Sequence, residues 1–190
     1  MVEKDWVELV SEELIETLGS TSLLNAPQLA VSALNGQGIS ECKYLLDKLL
    51  DQTPIRKDLG RPRLAIDRVF TMSGFGTVVT GTLLDGSLSV GQDIELIPSR
   101  LKARIRGLQS HRTQIETATP GRRLAVNLSG VSHAQIQRGD VLTTPGWLEG
   151  SFTVDLDLNV SSLAPQGVKN NMGVTFFTGT SESPAKIRLL

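Results

Sequence analysis

Apolar residues recur over the first eighteen positions at helical spacing. Trp6, Val7, Leu9, Val10, Leu14 and Leu18 predict a helix over 4–18, and Gly19 can close its end. Gln28 to Ser32 is a short apolar run that reads as a strand, followed by the turn-rich Ser32-Ala33-Leu34-Asn35-Gly36-Gln37-Gly38. Leu45, Leu46, Leu49 and Leu50 then predict a second helix over 39–51, ended by Pro54. Helix, strand, loop, helix is the order that one edge of a three-layer α/β domain would show.

From Arg61 the period changes. Short runs of Val, Ile, Thr and Leu alternate with glycine turns, predicting strands over 63–71, 76–85, 92–97, 101–109, 122–129 and 140–143. Turns are expected at Ser73-Gly74, Asp85-Gly86, Val90-Gly91, Pro120-Gly121 and Arg138-Gly139-Asp140. Closely spaced antiparallel strands of this kind close into a small barrel, because closure removes exposed edges. Phe152, Val154, Leu156 and Leu158 alternate with polar residues as a strand would, and Val174–Phe177 and Lys186–Leu190 are two further strand candidates. The fold class expected is therefore mainly β: an antiparallel barrel over 58–148, an α/β part over 1–57, and a β segment over 149–190 that is short for a barrel of its own. Pro54 to Arg63, holding Pro54, Gly60 and Pro62 among charges, is the linker candidate.

Composition narrows this further. Aromatic residues make up 4% of the 190, so the core has to rest on Leu, Ile and Val. The single cysteine, Cys42, excludes a disulfide within the chain and reads as a helix residue without chemistry. The start carries Glu3, Asp5 and Glu8 where a secretory signal would be basic and then apolar, and no apolar run reaches the length of a membrane span. A reducing, cytoplasmic location is the expectation.

The formal net charge of -1 hides an asymmetry. Residues 1–60 hold ten acidic residues against five Lys and Arg, whereas residues 98–138 hold Arg100, Lys102, Arg104, Arg106, Arg112, Arg122, Arg123 and Arg138 against Glu116 alone. Such a stretch is either a face offered to a polyanion or a solvated strand face. Lys102, Arg104 and Arg106 alternate with Ala103 and Ile105 and so share one face. His111 and His133 stand apart from other ligand residues, and no metal site is expected.

Ala65-Ile66-Asp67-Arg68-Val69-Phe70-Thr71-Met72-Ser73-Gly74-Phe75-Gly76-Thr77-Val78-Val79-Thr80-Gly81 is the most informative segment. Two β runs flank a glycine turn, which makes a hairpin. It is not a dinucleotide fingerprint, since Val79 stands where the third glycine would be and a strand follows rather than a helix. This hairpin closely resembles the opening of domain II in translational GTPases. The resemblance continues through Val90-Gly91-Gln92-Asp93, Pro120-Gly121-Arg122-Arg123-Leu124-Ala125-Val126-Asn127-Leu128 and Ile136-Gln137-Arg138-Gly139-Asp140-Val141-Leu142, and so covers nearly all of 61–146. Asp67-Arg68-Val69-Phe70 and Gly74-Phe75-Gly76-Thr77-Val78-Val79-Thr80-Gly81 look most like the selenocysteine-specific branch, relatives of elongation factor Tu. Ser32-Ala33-Leu34 resembles the last guanine-recognition loop of these GTPases. No phosphate-binding loop, Asp-x-x-Gly or Asn-Lys-x-Asp is present, so the chain is expected to be a central piece of such a factor, without catalysis or a cofactor of its own.

The resemblance implies a parent GTPase that uses GTP and Mg²⁺. The partners it implies are selenocysteinyl-tRNA and the ribosome, with an mRNA hairpin engaged only through C-terminal domains outside these residues, and no membrane. It also implies that domain II forms one wall of the aminoacyl pocket, through Asp67, Arg68, Phe70, Thr80 and Arg123, with Gln109 where the terminal adenosine is supported. Asp67 would receive the α-amino group and Phe70 would supply an aromatic wall. Arg68 and Arg123 replace an acid and an asparagine of the general factor, and two permanent cations suit the selenolate of selenocysteine over the neutral hydroxyl of serine. One such contact at about 4 Å is worth about 4 kcal/mol at an effective dielectric of about 20, before desolvation, against about 1–3 kcal/mol for reading size alone. A pairing of Arg68 with Asp67 is expected to be strained, since adjacent strand residues point to opposite faces. Other readings remain open: domain II of an initiation or general elongation factor contacting ribosome or tRNA, or a barrel that only scaffolds.

Overall fold

A computed structural model of the chain describes residues 3–54, 58–161 and 164–190. The chain divides into two compact units, residues 1–55 with 156–168, and residues 56–155 with 169–190.

The first unit holds both predicted helices, α1 (Lys4–Leu18) and α2 (Ile39–Gln52). Gly19 caps α1, donating its N–H to Glu16 O. The run at 28–32 is not a strand: among the described residues nothing pairs with it, and a strand exists only through a ladder partner. Leu156 and Leu158 likewise belong to no strand, nor do Phe152 and Val154 of the second unit, and Phe152 is fully exposed. The alternation there does not make a strand, because no neighbouring strand among the described residues takes up the backbone groups. Of the linker candidate over 54–63, residues 55–57 lie outside the described residues.

The second unit is built on β1 (Arg63–Met72), β2 (Gly76–Asp85), β3 (Leu88–Ser89), β4 (Asp93–Ile97), β5 (Leu101–Ser110), β6 (Thr113–Ile115), β7 (Thr117–Ala118), β8 (Arg123–Ser129) and β9 (Val141–Thr143). Strand order runs β4-β9-β1-β2-β8-β5-β6, and β4 also pairs with β5, so β4, β9, β1, β2, β8 and β5 close a six-stranded antiparallel barrel. All six predicted barrel strands are present, with ends shifted by no more than a residue. The short β3–β7 pair and a 3-10 turn over His133–Gln135 carry too few residues to give a periodic signal.

The strands bury one aliphatic core, with consecutive residues covered on β1, β2 and β4. Leu64, Ile66, Val79, Leu83, Ile94, Leu96, Leu124, Val126 and Leu142 are almost wholly buried and pack as one cluster, with no aromatic ring among them. On β5, Ala103 and Ile105 face this core while Lys102, Arg104 and Arg106 are exposed.

The C-terminal strands are β10 (Gly173–Thr178) and β11 (Ser181–Lys186), a hairpin with Thr178 opposite Ser181. The first matches expectation. The second lies earlier than the predicted 186–190, because Pro184 argues against a strand by composition yet sits here in a two-stranded ribbon, where one side of each strand needs no ladder partner. The hairpin turn packs on the barrel: Thr180 Oγ1 donates to Ile66 O at 2.7 Å, and Arg138 Nε donates to Thr180 O at 3.3 Å.

Candidate functional site

The predicted site residues are set by one irregularity. In the β1–β2 ladder Ile66 is opposite Gly81 and Arg68 is opposite Thr80, so Asp67 is an extra residue in a β-bulge. Gly81 fits here because a Cβ would lie 2.3 Å from Ala65 O and 2.6 Å from a Leu64 methyl group. The bulge removes the strict alternation expected of Asp67 and Arg68. Asp67 turns to the outer face, where Thr80 Oγ1 donates to its Oδ1 at 2.7 Å.

Arg123, at the start of β8, completes the cluster. Its Nη1 donates to Asp67 Oδ2 at 2.5 Å and its Nη2 to Oδ1 at 2.9 Å, a bidentate ion pair. Asp67 and Arg123 were expected to serve different ends of a ligand; here they hold each other. Burial pushes the Asp67 carboxyl up, but the hydrogen bonds from Arg123 and Thr80 and the charges of Arg123 and Arg68 outweigh it and hold the group below the ordinary aspartate value. The hydrogen bond to Asp67 in turn raises Arg123.

Arg68 is exposed and, among the described residues, its side chain makes no hydrogen bond or ion pair; its link to Asp67 is through charge alone. Arg68 lies opposite Thr80, Thr80 opposite Ala125, and Ala125 opposite Gln109, so one row across the outer face joins β1, β2, β8 and β5. Gln109 is thus on the row but three strands from Arg68. The neighbouring row holds Phe70, half-buried, opposite Val78, with Asn127 beyond. The Asn127 amide oxygen is buried with no hydrogen-bond partner among the described residues, a feature that its sequence context did not signal. The structure therefore brings Asp67, Thr80 and Arg123 into contact, sets Arg68 beside them, and leaves Phe70 and Gln109 on the same open face.

Other candidates lie elsewhere. Ser32, Ala33 and Leu34 form a turn of the first unit, where Ser32 N–H donates to Gln37 O and Leu34 is 87% exposed. On the basic face Arg104 is tied to Gly91 O at 2.7 Å and lies 3.5 Å from Asp93, while Lys102 and Arg106 make no such contact among the described residues. Cys42 is half-buried on α2. His111 Nδ1 lies 3.1 Å from Ser110 Oγ, and among the described residues no three of His, Cys, Asp and Glu gather as a metal would require. A depression lined by Arg138, Phe177, Thr180 and Glu182 touches none of the predicted residues. No helix among the described residues is long and apolar enough to cross a membrane.

Sequence reading missed the support behind the bulge. Ile66 O accepts from Gly139 N–H at 2.9 Å and from Thr180 Oγ1, and Ile66 N–H donates to Asp140 O at 2.9 Å. Thr180 stands 114 positions away, so no local signal could have found it.

The barrel is a translation elongation factor domain 2: residues 76–143 match the family model for elongation factor Tu domain 2. The chain as a whole is a homologue of selenocysteine-specific elongation factors. It is 43% identical to the selenocysteine-specific elongation factor of Desulfomicrobium baculatum over 100% of this chain and 30% of that protein. It is 34% identical to that of Haemophilus influenzae over 94% of this chain and 28% of that protein. The crystal structure of a bacterial selenocysteine-specific elongation factor superposes with a TM-score of 0.83 at 28% identity, covering 99% of this chain and 31% of the other. The chain thus spans about 30% of the length of the curated relatives it matches.

Proposed function

We propose that this chain is the central part of a GTP-dependent elongation factor that delivers selenocysteinyl-tRNA to the ribosome, and that its barrel forms the selenocysteine wall of the aminoacyl pocket. The observation that carries this reading is the meeting of Asp67, Thr80 and Arg123 on the outer face, beside the exposed guanidinium of Arg68, which has no ion-pair partner among the described residues. Each of these residues lies within a motif that carries the resemblance to translational GTPases. The match to a protein named selenocysteine-specific elongation factor runs over the entire chain, which favours that branch over a general or initiation factor.

On this reading residues 1–57 are the end of a GTPase domain, 58–148 are domain II, and 149–190 begin domain III. Ser32, Ala33 and Leu34 are the remnant of the guanine-base loop. GTP and Mg²⁺ are held by residues outside this chain, the hydrolysis is the whole protein's, and the protein works in the cytoplasm. Within the chain the chemistry is binding. The carboxylate of Asp67 meets the α-amino group of the esterified residue, Phe70 walls the site, and the guanidinium groups of Arg68 and Arg123 meet a selenolate. Gln109 lies on the side where the terminal adenosine would rest.

The test is the affinity of the full-length, GTP-loaded protein for selenocysteinyl-tRNA and seryl-tRNA, wild type beside Arg68→Ala/Arg123→Ala. A strong wild-type preference for selenocysteine that collapses in the double variant supports the reading. Equal wild-type binding of both tRNAs refutes it.

A further inference from the structure

The Asp67 carboxylate is already occupied. A carboxylate offers about four acceptor positions, and three are taken by Thr80 Oγ1, Arg123 Nη1 and Arg123 Nη2. A ligand ammonium that is to hydrogen-bond fully with Asp67 must displace at least one arm of Arg123. The displaced guanidinium then loses its counter-charge, and one carboxylate against two guanidiniums (Arg68 and Arg123) already leaves this patch at a formal +1, so a ligand anion beside it is favoured.

We propose that the Asp67–Arg123 ion pair is a latch that opens only by exchange of both its ends. Resting on the reading given under the proposed function, the exchange works as follows. An aminoacyl ester bearing an α-ammonium and a side-chain anion gives the ammonium to Asp67 and the anion to Arg123, one ion pair becomes two, and the net charge of the patch stays at +1. A seryl ester brings the ammonium alone. It must compete with Arg123 for the same carboxylate oxygens, and its arrival raises the formal charge of the patch, Arg68 included, to +2. Selectivity then has two sources. One is attraction of the selenolate. The other is self-competition by Arg123 against any ligand with a cation and no anion, which is discrimination by a repulsive element. The geometry suits an exchange: Asp67 is mostly covered, with 19% of its side chain exposed, whereas Arg123 is 55% exposed and free to swing outward.

The latch makes a prediction that a simple selenolate reader does not. Replacing Arg123 should strengthen the binding of the wrong ligand. In the full-length, GTP-loaded protein, equilibrium binding of seryl-tRNA and selenocysteinyl-tRNA is measured for wild type, Arg123→Lys and Arg123→Gln. The expected result is that seryl-tRNA binds about fivefold more tightly to Arg123→Gln, the ratio that release of one partly exposed ion pair gives. Arg123→Lys, which retains the charge but loses the fork, falls between, and selenocysteinyl-tRNA weakens in both. Unchanged or weaker seryl-tRNA binding in both variants, with the wild-type preference for selenocysteine intact, overturns the latch and leaves the proposed function standing. A wild type without that preference overturns the proposed function, and the latch with it. The lysine variant keeps the test decisive should the glutamine variant fold poorly.

Discussion

The hydroxyl of Thr180 donates to the carbonyl oxygen of Ile66 at 2.7 Å, joining the turn of the C-terminal hairpin to the residue before the Asp67 bulge. Ile66 also exchanges backbone hydrogen bonds with Gly139 and Asp140, so the backbone ahead of the bulge is gripped on the side away from β2. A bulge aims a side chain usefully only if its own backbone is held, and here the hold comes from a distant part of the chain.

Thr180→Val keeps the shape and removes the donor. It should cost about 1 kcal/mol, the usual net value of one such bond, since Ile66 O retains Gly139. Thr180→Ser should recover most of it. Urea unfolding of the chain measures both, and equal midpoints for wild type and the valine variant would show that this bond does not support the bulge.

The Asp67 cluster should show as acid sensitivity. Its carboxyl is held below the ordinary aspartate value of about 3.9, so its contribution is fully present above that value and is lost as pH falls through the lowered one. Arg123 is more than half exposed, so the contribution at neutral pH should not exceed about 1 kcal/mol. The stability difference between wild type and Asp67→Asn should therefore shrink as pH falls below about 4. A difference that grows in acid would contradict the ion pair.

Gly81→Ala should destabilise the barrel by roughly 1–3 kcal/mol, the cost of forcing atoms into a packed core. Its Cβ would meet Ala65 O and Leu64, one fixed by the ladder and the other wholly buried. Thermal unfolding reads this directly, and a variant as stable as wild type would mean that the strands shift there at no cost.

Arg68→Ala should separate stability from recognition. With no side-chain hydrogen bond or ion pair among the described residues, Arg68 can be removed at a cost within about 0.5 kcal/mol. Its loss should nonetheless weaken selenocysteinyl-tRNA binding by the full-length protein more than seryl-tRNA binding. The pair of measurements is unfolding midpoint and tRNA affinity, and equal weakening for both tRNAs would remove Arg68 from discrimination.

The sequence by itself determined the barrel strands, their turns, both helices and the aliphatic core, because periodicity and glycine placement are local properties that burial on one face enforces. It also marked Asp67, Arg68, Thr80 and Arg123, through a resemblance carried by contiguous motifs. Strands at 28–32 and 152–158 were not realised, and the last strand fell at 181–186, since a strand depends on partners that a single run cannot specify. Only the tertiary structure decided that Asp67 sits on a bulge, that its partner is Arg123 rather than Arg68, and that Thr180 backs the arrangement. Each of these depends on register between strands far apart in the chain. A one-residue shift in register redirects a side chain, and nothing in the order of neighbouring residues fixes it.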